Sequence, residues 1–191
     1  MASGNHINPP STGEQVPFLV RFLATGFYAG YAPWASGTMG TLVGLLIYLL
    51  PGAEHPAVLG GIIFLGLFAG VPAAAAVSRA EGNRLTRSAE WTKAKFQPDH
   101  HGISDPSMVV IDEMVGIWVT LLLLPKSPLI VLCAFIAFRA MDILKPEPAR
   151  AVERVPNGWG IMLDDVVAGL YANLIVQVFA AILRTWAPQL L

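Results

Sequence analysis

The chain has 191 residues, 54% of them apolar and only 13% charged, against the roughly 25% charged share of an ordinary soluble domain. Its 12 basic and 13 acidic residues leave a formal charge of −1, which excludes a nucleic-acid binder driven by net charge. A mean hydropathy of +0.58 excludes a disordered chain, and the single cysteine, Cys133, can build neither a disulfide nor a thiolate zinc centre and reads as packing.

Residues 1–15 are polar and rich in Gly, Pro, Ser and Asn, the composition of a disordered tail, and they lack the basic start and small-residue cleavage site of a secretory signal. Residues 16–191 read as one domain. Residues 16–34 are apolar but carry Arg21, Gly26, Gly30 and Pro33, which predicts an interfacial or re-entrant helix. Five further apolar stretches follow at residues 38–50, 56–77, 108–124, 129–144 and 161–183. They approach the roughly 20 apolar residues that a membrane-crossing helix needs. Pro51, Pro125, Pro128 and Pro146 punctuate them where helices should stop or start. The expected fold is all-α, a membrane-embedded bundle of about five membrane helices plus the N-terminal interfacial helix. The polar segment 78–107, with Trp91 and Phe96 among charges, is expected to form a short amphipathic helix on the membrane surface.

The connections set an orientation. Arg79, Arg84, Arg87, Lys93 and Lys95 lie in one, and Lys145, Arg150 and Arg154 in another, while the alternate connections hold only Lys126. With the N-terminus inside, both basic connections fall on the cytoplasmic side. Ser36 to Thr41, Asp105 to Glu113, Arg139 to Arg150 and Gly158 to Asp165 then converge on that face.

Charged residues at membrane depth are costly, of order 2.5 to 3.5 kcal/mol each, and point to function. Asp112 and Glu113 sit at the wet end of one helix, and Asp164 with Asp165 repeats the pattern on another. Neighbours on a helix differ by roughly 100°, so only one of each pair need point inward. Arg139, Asp142 and Lys145, spaced i, i+3 and i+6, predict a ladder on one face of a third helix. Acids gathered from three helices repel unless a cation lies among them, and a hard ion such as Mg²⁺ takes oxygen ligands and is often bound with substrate phosphate. Lys145, Arg139 and Arg150 suit phosphate oxygens, and Ser36-Gly37-Thr38-Met39-Gly40-Thr41 places small residues at a helix start that can take an anion.

Plainer readings stand beside these. Arg139 and Asp142 could simply neutralise each other, Ser36 to Thr41 could be an N-cap with glycines for helix packing, and either acid pair could be a solvated helix start. His100-His101 lacks partner spacing and reads as a loop feature.

Four motifs carry a family resemblance. They are Gly26-Phe27-Tyr28-Ala29-Gly30-Tyr31-Ala32-Pro33 with Gly37-Thr38-Met39-Gly40-Thr41; Val110-Ile111-Asp112-Glu113-Met114-Val115-Gly116-Ile117-Trp118; Phe138-Arg139-Ala140-Met141-Asp142-Ile143-Leu144-Lys145-Pro146; and Gly158-Trp159-Gly160-Ile161-Met162-Leu163-Asp164-Asp165-Val166-Val167-Ala168-Gly169. In this order, over residues 22–180, the chain resembles the phosphatidylglycerophosphatase A family. The segment 81–101 is longer and more charged than that family leads one to expect. The resemblance implies a Mg²⁺-dependent phosphatase of a bacterial inner membrane, and the apolar stretches and basic connections make it multi-pass with its active site facing the cytoplasm. It would convert phosphatidylglycerophosphate to phosphatidylglycerol within the lipid bilayer.

Joining residues to resemblance, Asp112, Glu113, Asp142, Asp164 and Asp165 are expected to include the ligands of one or two Mg²⁺ ions. Ser36, Gly37, Thr38, Arg139 and Lys145 are expected to hold the phosphate, and Asp105, Asp112, Lys145 and Asp165 to serve catalysis, with Asp105 as candidate general base. The sequence has neither a Cys-x5-Arg signature nor an Asp-x-Asp motif, so water is the expected nucleophile, with an aspartyl-phosphate intermediate as the open alternative. Among rivals, a transporter would place charges near the midplane and show repeats, which are absent. Another metal-dependent lipid-headgroup enzyme, such as a CDP-alcohol phosphotransferase, would show a spaced Asp-Gly and Gly-x3-Asp pattern that is also absent.

Overall fold

A computed structural model describes residues 16–81, 108–153, 155, 156 and 158–190, with the side chains of 78–81 and 190 left aside. The predicted tail, the polar segment 82–107 with Asp105 and the His100-His101 pair, and Arg154 therefore lie outside the described residues. Among the described residues every regular element is helical. These are α1 (Phe18–Ala24), a 3₁₀ turn (Ala29–Tyr31), α2 (Ser36–Leu49), α3 (Pro56–Glu81), α4 (Ile111–Leu121), α5 (Pro128–Leu144), the short α6 (Ala149–Val152), α7 (Trp159–Trp186) and a closing 3₁₀ turn (Pro188–Leu190).

The expected all-helical fold is present, but the five expected spans are not equivalent. Two helices are long and apolar enough to cross a membrane, Pro56–Val77 at 22 residues and Trp159–Trp186 at 28. At 1.5 Å per residue, the 11 residues of α4 reach only about 16 Å, roughly half of a bilayer's apolar core. The stretch predicted as the third span forms the centre of the bundle. All of α4 except Glu113 is buried, because α2, α3, α5 and α7 surround it, and an all-round apolar helix is what such a position requires. α1, at seven residues, is likewise too short to span, and reverses through left-handed Gly26, Phe27 and Tyr28 into the 3₁₀ turn.

Small residues let the helices close on α4. A Cβ on Gly169 of α7 would lie 2.5 Å from the Gly116 carbonyl oxygen of α4, and one on Gly44 of α2 would lie 2.7 Å from Ile117. Polar atoms exposed by this approach are bonded across it. Thr120 Oγ1 donates to the Gly116 carbonyl at 2.9 Å and reaches that of Gly169 at 3.3 Å, and Trp118 Nε1 donates to the Gly44 carbonyl at 2.8 Å. Asn173 Nδ2 donates to the carbonyls of Thr120 and Leu122, both at 2.8 Å, where α4 ends.

Helix boundaries follow local chemistry. Ser127 caps α5, its Oγ accepting from the Ile130 amide at 3.3 Å, with Pro128 in the first turn. At the other end Pro146 disfavours helix at the residue before it, and Lys145 turns left-handed (φ 43°) while its amide still bonds to the Met141 carbonyl at 2.8 Å. At the end of the bundle away from Lys145, Lys126 bridges two loops. Its Nζ donates to the carbonyls of Leu49 and Leu50 at the end of α2 and to Glu54 at 2.9 Å, and it lies 5.4 Å from the Tyr48 ring. A cation there also suits the α2 dipole.

Candidate active site

Asp112, Glu113, Arg139, Asp142, Lys145, Asp164 and Asp165 gather where α2, α4 and α7 begin and α5 ends. Asp112 and Glu113 occupy the first turn of α4, and Asp164 and Asp165 the second turn of α7. One carboxylate oxygen each from Asp112, Glu113 and Asp165 lies within 4.8 Å of the others. Both members of the α4 pair thus face the cluster, although helix geometry required only one to do so. Neighbouring helices enclose the start of α4, burying Asp112 and leaving Glu113 only partly exposed. Both members of the α7 pair are buried too.

The third acid-bearing helix behaves differently. Asp142 of α5 accepts from Arg139 Nη1 at 2.6 Å, the self-neutralising i, i+3 pair that the spacing allowed, with both side chains mostly buried. The close cluster therefore draws on two helices instead of three, although Asp142 is near enough to act electrostatically on Asp165. The expected Arg139–Asp142–Lys145 ladder is broken at its last rung. Lys145 has left the helical line, and its Nζ bonds to Asp164 Oδ2 at 2.5 Å and lies 3.1 Å from Glu153 Oε1. Asp164 uses its other oxygen to accept the Asp165 amide at 3.0 Å. Burial alone would lower the proton affinity of Lys145, but the nearby Asp164 and Glu153 charges outweigh it and hold the ammonium above the ordinary lysine value.

The small-residue helix start meets the same cluster. Gly37 lies against Glu113 and Arg139, whose two terminal nitrogens are each 3.2 Å from where a Cβ would stand. Any side chain at position 37 would enter the space between α2 and these charges. Ser36 and Thr38 flank it in the first turn of α2, half-buried, and the expected N-cap is absent: Ala35 holds that position in a left-handed conformation with no side-chain cap. Arg150 is exposed on α6. The residue that spacing did not reveal is Glu153. It lies outside every motif, and only the fold of the α5–α7 connection brings it to Lys145.

The described site holds the carboxylates of Asp112, Glu113, Asp142, Glu153, Asp164 and Asp165 against the cations Arg139 and Lys145. Unit charges about 5 Å apart repel by roughly 3 kcal/mol at an effective dielectric of about 20, so a bound cation would relieve the close cluster. An all-oxygen donor set without Cys or His fits a hard divalent ion such as Mg²⁺.

Among the described residues the protein is all-helical, with two apolar helices of membrane-crossing length and a group of carboxylates beside Arg139 and Lys145 at one end, which places it in the class of helical proteins able to enter a membrane. Within that class, the family model for phosphatidylglycerophosphatase A matches residues 22–180, and the chain belongs to that family. It is 36% identical over 159 residues to "Phosphatidylglycerophosphatase A" of Haemophilus influenzae, covering 82% of this chain and 86% of the relative. Identity to the Escherichia coli protein of the same name is 31% over 150 residues, covering 78% and 76%. A Bacteroides thetaiotaomicron protein named "Putative phosphatidylinositol-3-phosphatase" is 36% identical over 169 residues, covering 84% and 93%. No solved structure matches the chain. The protein is accordingly a hydrolase of phosphate monoesters, and two of its helices are long and apolar enough to cross a membrane.

Proposed function

We propose that the protein hydrolyses the terminal phosphomonoester of phosphatidylglycerophosphate to phosphatidylglycerol and inorganic phosphate, in a Mg²⁺-dependent step of bacterial phospholipid synthesis. The observation that carries this reading is the meeting of Gly37 and Arg139 with the carboxylates of Asp112, Glu113 and Asp165 at one end of the bundle. In this reading Asp112, Glu113 and Asp165 hold the metal, with Asp142 and Asp164 beside them. When bound, Mg²⁺ supplies charge neutralisation and Lewis acidity at the phosphoryl oxygens.

The chain's own groups do the rest. Arg139, anchored by Asp142, presents a planar fork suited to phosphate oxygens, and Lys145 adds a point charge. Ser36, Gly37 and Thr38 open α2, whose amide-rich, dipole-positive start favours an anion. In hydrolysis a water oxygen bonds to phosphorus, the ester bond to the glycerol oxygen breaks, and the glycerol oxygen takes a proton. Asp105 is the proposed base. A phosphomonoester lies at headgroup level, so a site at one end of the helices reaches it without extracting the lipid. We further read the protein as multi-pass in the inner membrane, with α2 and α5 joining α3 and α7 around α4 and the site facing the cytoplasm.

Phosphate release from phosphatidylglycerophosphate in detergent micelles, with and without Mg²⁺, tests the proposal. Release only with Mg²⁺ is expected; equal release in chelator would sink the metal assignment, and none in either would sink the substrate. The Bacteroides relative's name favours a second substrate, phosphatidylinositol 3-phosphate, to be assayed in parallel. Preference for it would replace the glycerol headgroup in this reading while leaving the phosphatase site unchanged.

A further inference from the structure

Lys145 is held by two carboxylates from different segments, Asp164 on α7 and Glu153 at the end of α6. An ammonium has three N–H donors on a flexible stem that is costly to fix in one place. One of them donates to Asp164, and Glu153 stands 3.1 Å from the same nitrogen as an ion pair. The clamp is built into the chain path. Lys145 leaves α5 in the left-handed region, and Gly160 lies so close to the Glu153 and Val155 carbonyls that a Cβ there would stand 2.6 Å from the latter. Asp164 also accepts the Asp165 amide, which ties the clamp to the helix turn bearing the acid cluster. The carboxylate oxygens within 4.8 Å of one another belong to Asp112, Glu113 and Asp165, a group without Asp164.

We propose that Glu153 is a positioning residue which, together with Asp164, clamps Lys145 so that its ammonium meets the substrate phosphate. Asp164 serves this clamp and is not a metal ligand. The inference rests on the reading of Lys145 as a phosphate-holding group.

The test uses the full chain in micelles with the better of the two lipid substrates. E153Q is expected to raise KM about fivefold with kcat within about twofold, because it weakens the hold on a binding group without touching the reacting atoms. Mg²⁺ affinity measured by calorimetry should stay unchanged in both E153Q and D164N. E153D, which keeps the charge, should recover most of the lost KM and provides a second variant should E153Q fold poorly. In a K145M background E153Q should add nothing, whereas a merely structural Glu153 would impair that background again. An unchanged KM in E153Q and E153D, additivity with K145M, or loss of Mg²⁺ binding in D164N would each overturn the clamp. If K145M itself left KM unchanged, the phosphate role of Lys145 would fall and the clamp with it. A damaging K145M beside harmless Glu153 variants would remove the clamp alone.

Discussion

Adjacent acids in this protein have different work. Asp165 belongs to the close carboxylate cluster, Asp164 to Lys145, and Asp142 to Arg139. Asn at these positions keeps shape and removes charge, so the three should separate in experiment. D165N is expected to lose activity about 100-fold together with measurable Mg²⁺ binding, and D142N to lose about tenfold with Mg²⁺ binding retained, since it acts by freeing Arg139. Calorimetry beside the phosphate-release assay decides this, and wild-type Mg²⁺ affinity in D165N would refute the cluster. A second residue-scale expectation concerns Glu54, whose carboxyl is held below its ordinary value first by the hydrogen bond from Lys126. A lowered carboxylate pKa contributes stability above the ordinary value of 4.5 that disappears as pH falls through the lowered one. Melting curves in detergent should therefore show K126M less stable than wild type at pH 7, with the gap narrowing below pH 4.5. A gap independent of pH would mean that the carbonyl contacts of Lys126, and not its ion pair, hold the two loops.

At the level of elements, the α4–α7 crossing controls the site because it brings Asp112 and Glu113 to Asp165. It is built on Gly116 and Gly169, where an added methyl meets backbone or the Phe138 ring. G169A is expected to cost about 1 to 3 kcal/mol and to reduce activity, since a backbone carbonyl cannot yield as a flexible side chain does. Gly60 lies in α3 with nothing within 4 Å of an added Cβ, and G60A should stabilise by about 0.5 to 1 kcal/mol. Thermal melts of the two variants test the crossing, and a G169A as stable as G60A would refute it. Helix existence was legible because long apolar runs ended by Pro51, Pro125, Pro128 and Pro146 leave little else for the backbone to form. The status of α4 was not legible. An apolar run reads alike whether lipid or protein surrounds it, and only the glycines on its neighbours, paired in space, show that it is enclosed.

For the whole molecule, the two ends of the bundle differ. One gathers the carboxylates, Arg139 and Lys145, and the other is joined through Lys126. In a chain with Cys133 replaced by Ala, single cysteines at Val155 and Glu54 should react with a membrane-impermeant thiol reagent from opposite sides, Val155 from the cytoplasmic one. Labelling of both from one face would refute the multi-pass reading. The low charge count is thereby explained by location. The six acids Asp112, Glu113, Asp142, Glu153, Asp164 and Asp165 lie together with Arg139 and Lys145, leaving the flanks of α3 and α7 to Phe64, Leu65, Leu170, Leu174 and other exposed apolar residues.

By itself the sequence determined the helical class, the family, and the residues of the charged end other than Glu153, because apolar run length, proline placement and motif order are local properties that can be read along one dimension. Tertiary structure alone decided which acid meets which partner. Asp112 with Asp165, Lys145 with Asp164 and Glu153, and Gly37 with Arg139 are contacts between segments far apart in the chain or across a tight turn. Their existence depends on how closely helices approach and where each one ends, and neither quantity is carried by a residue's immediate neighbours.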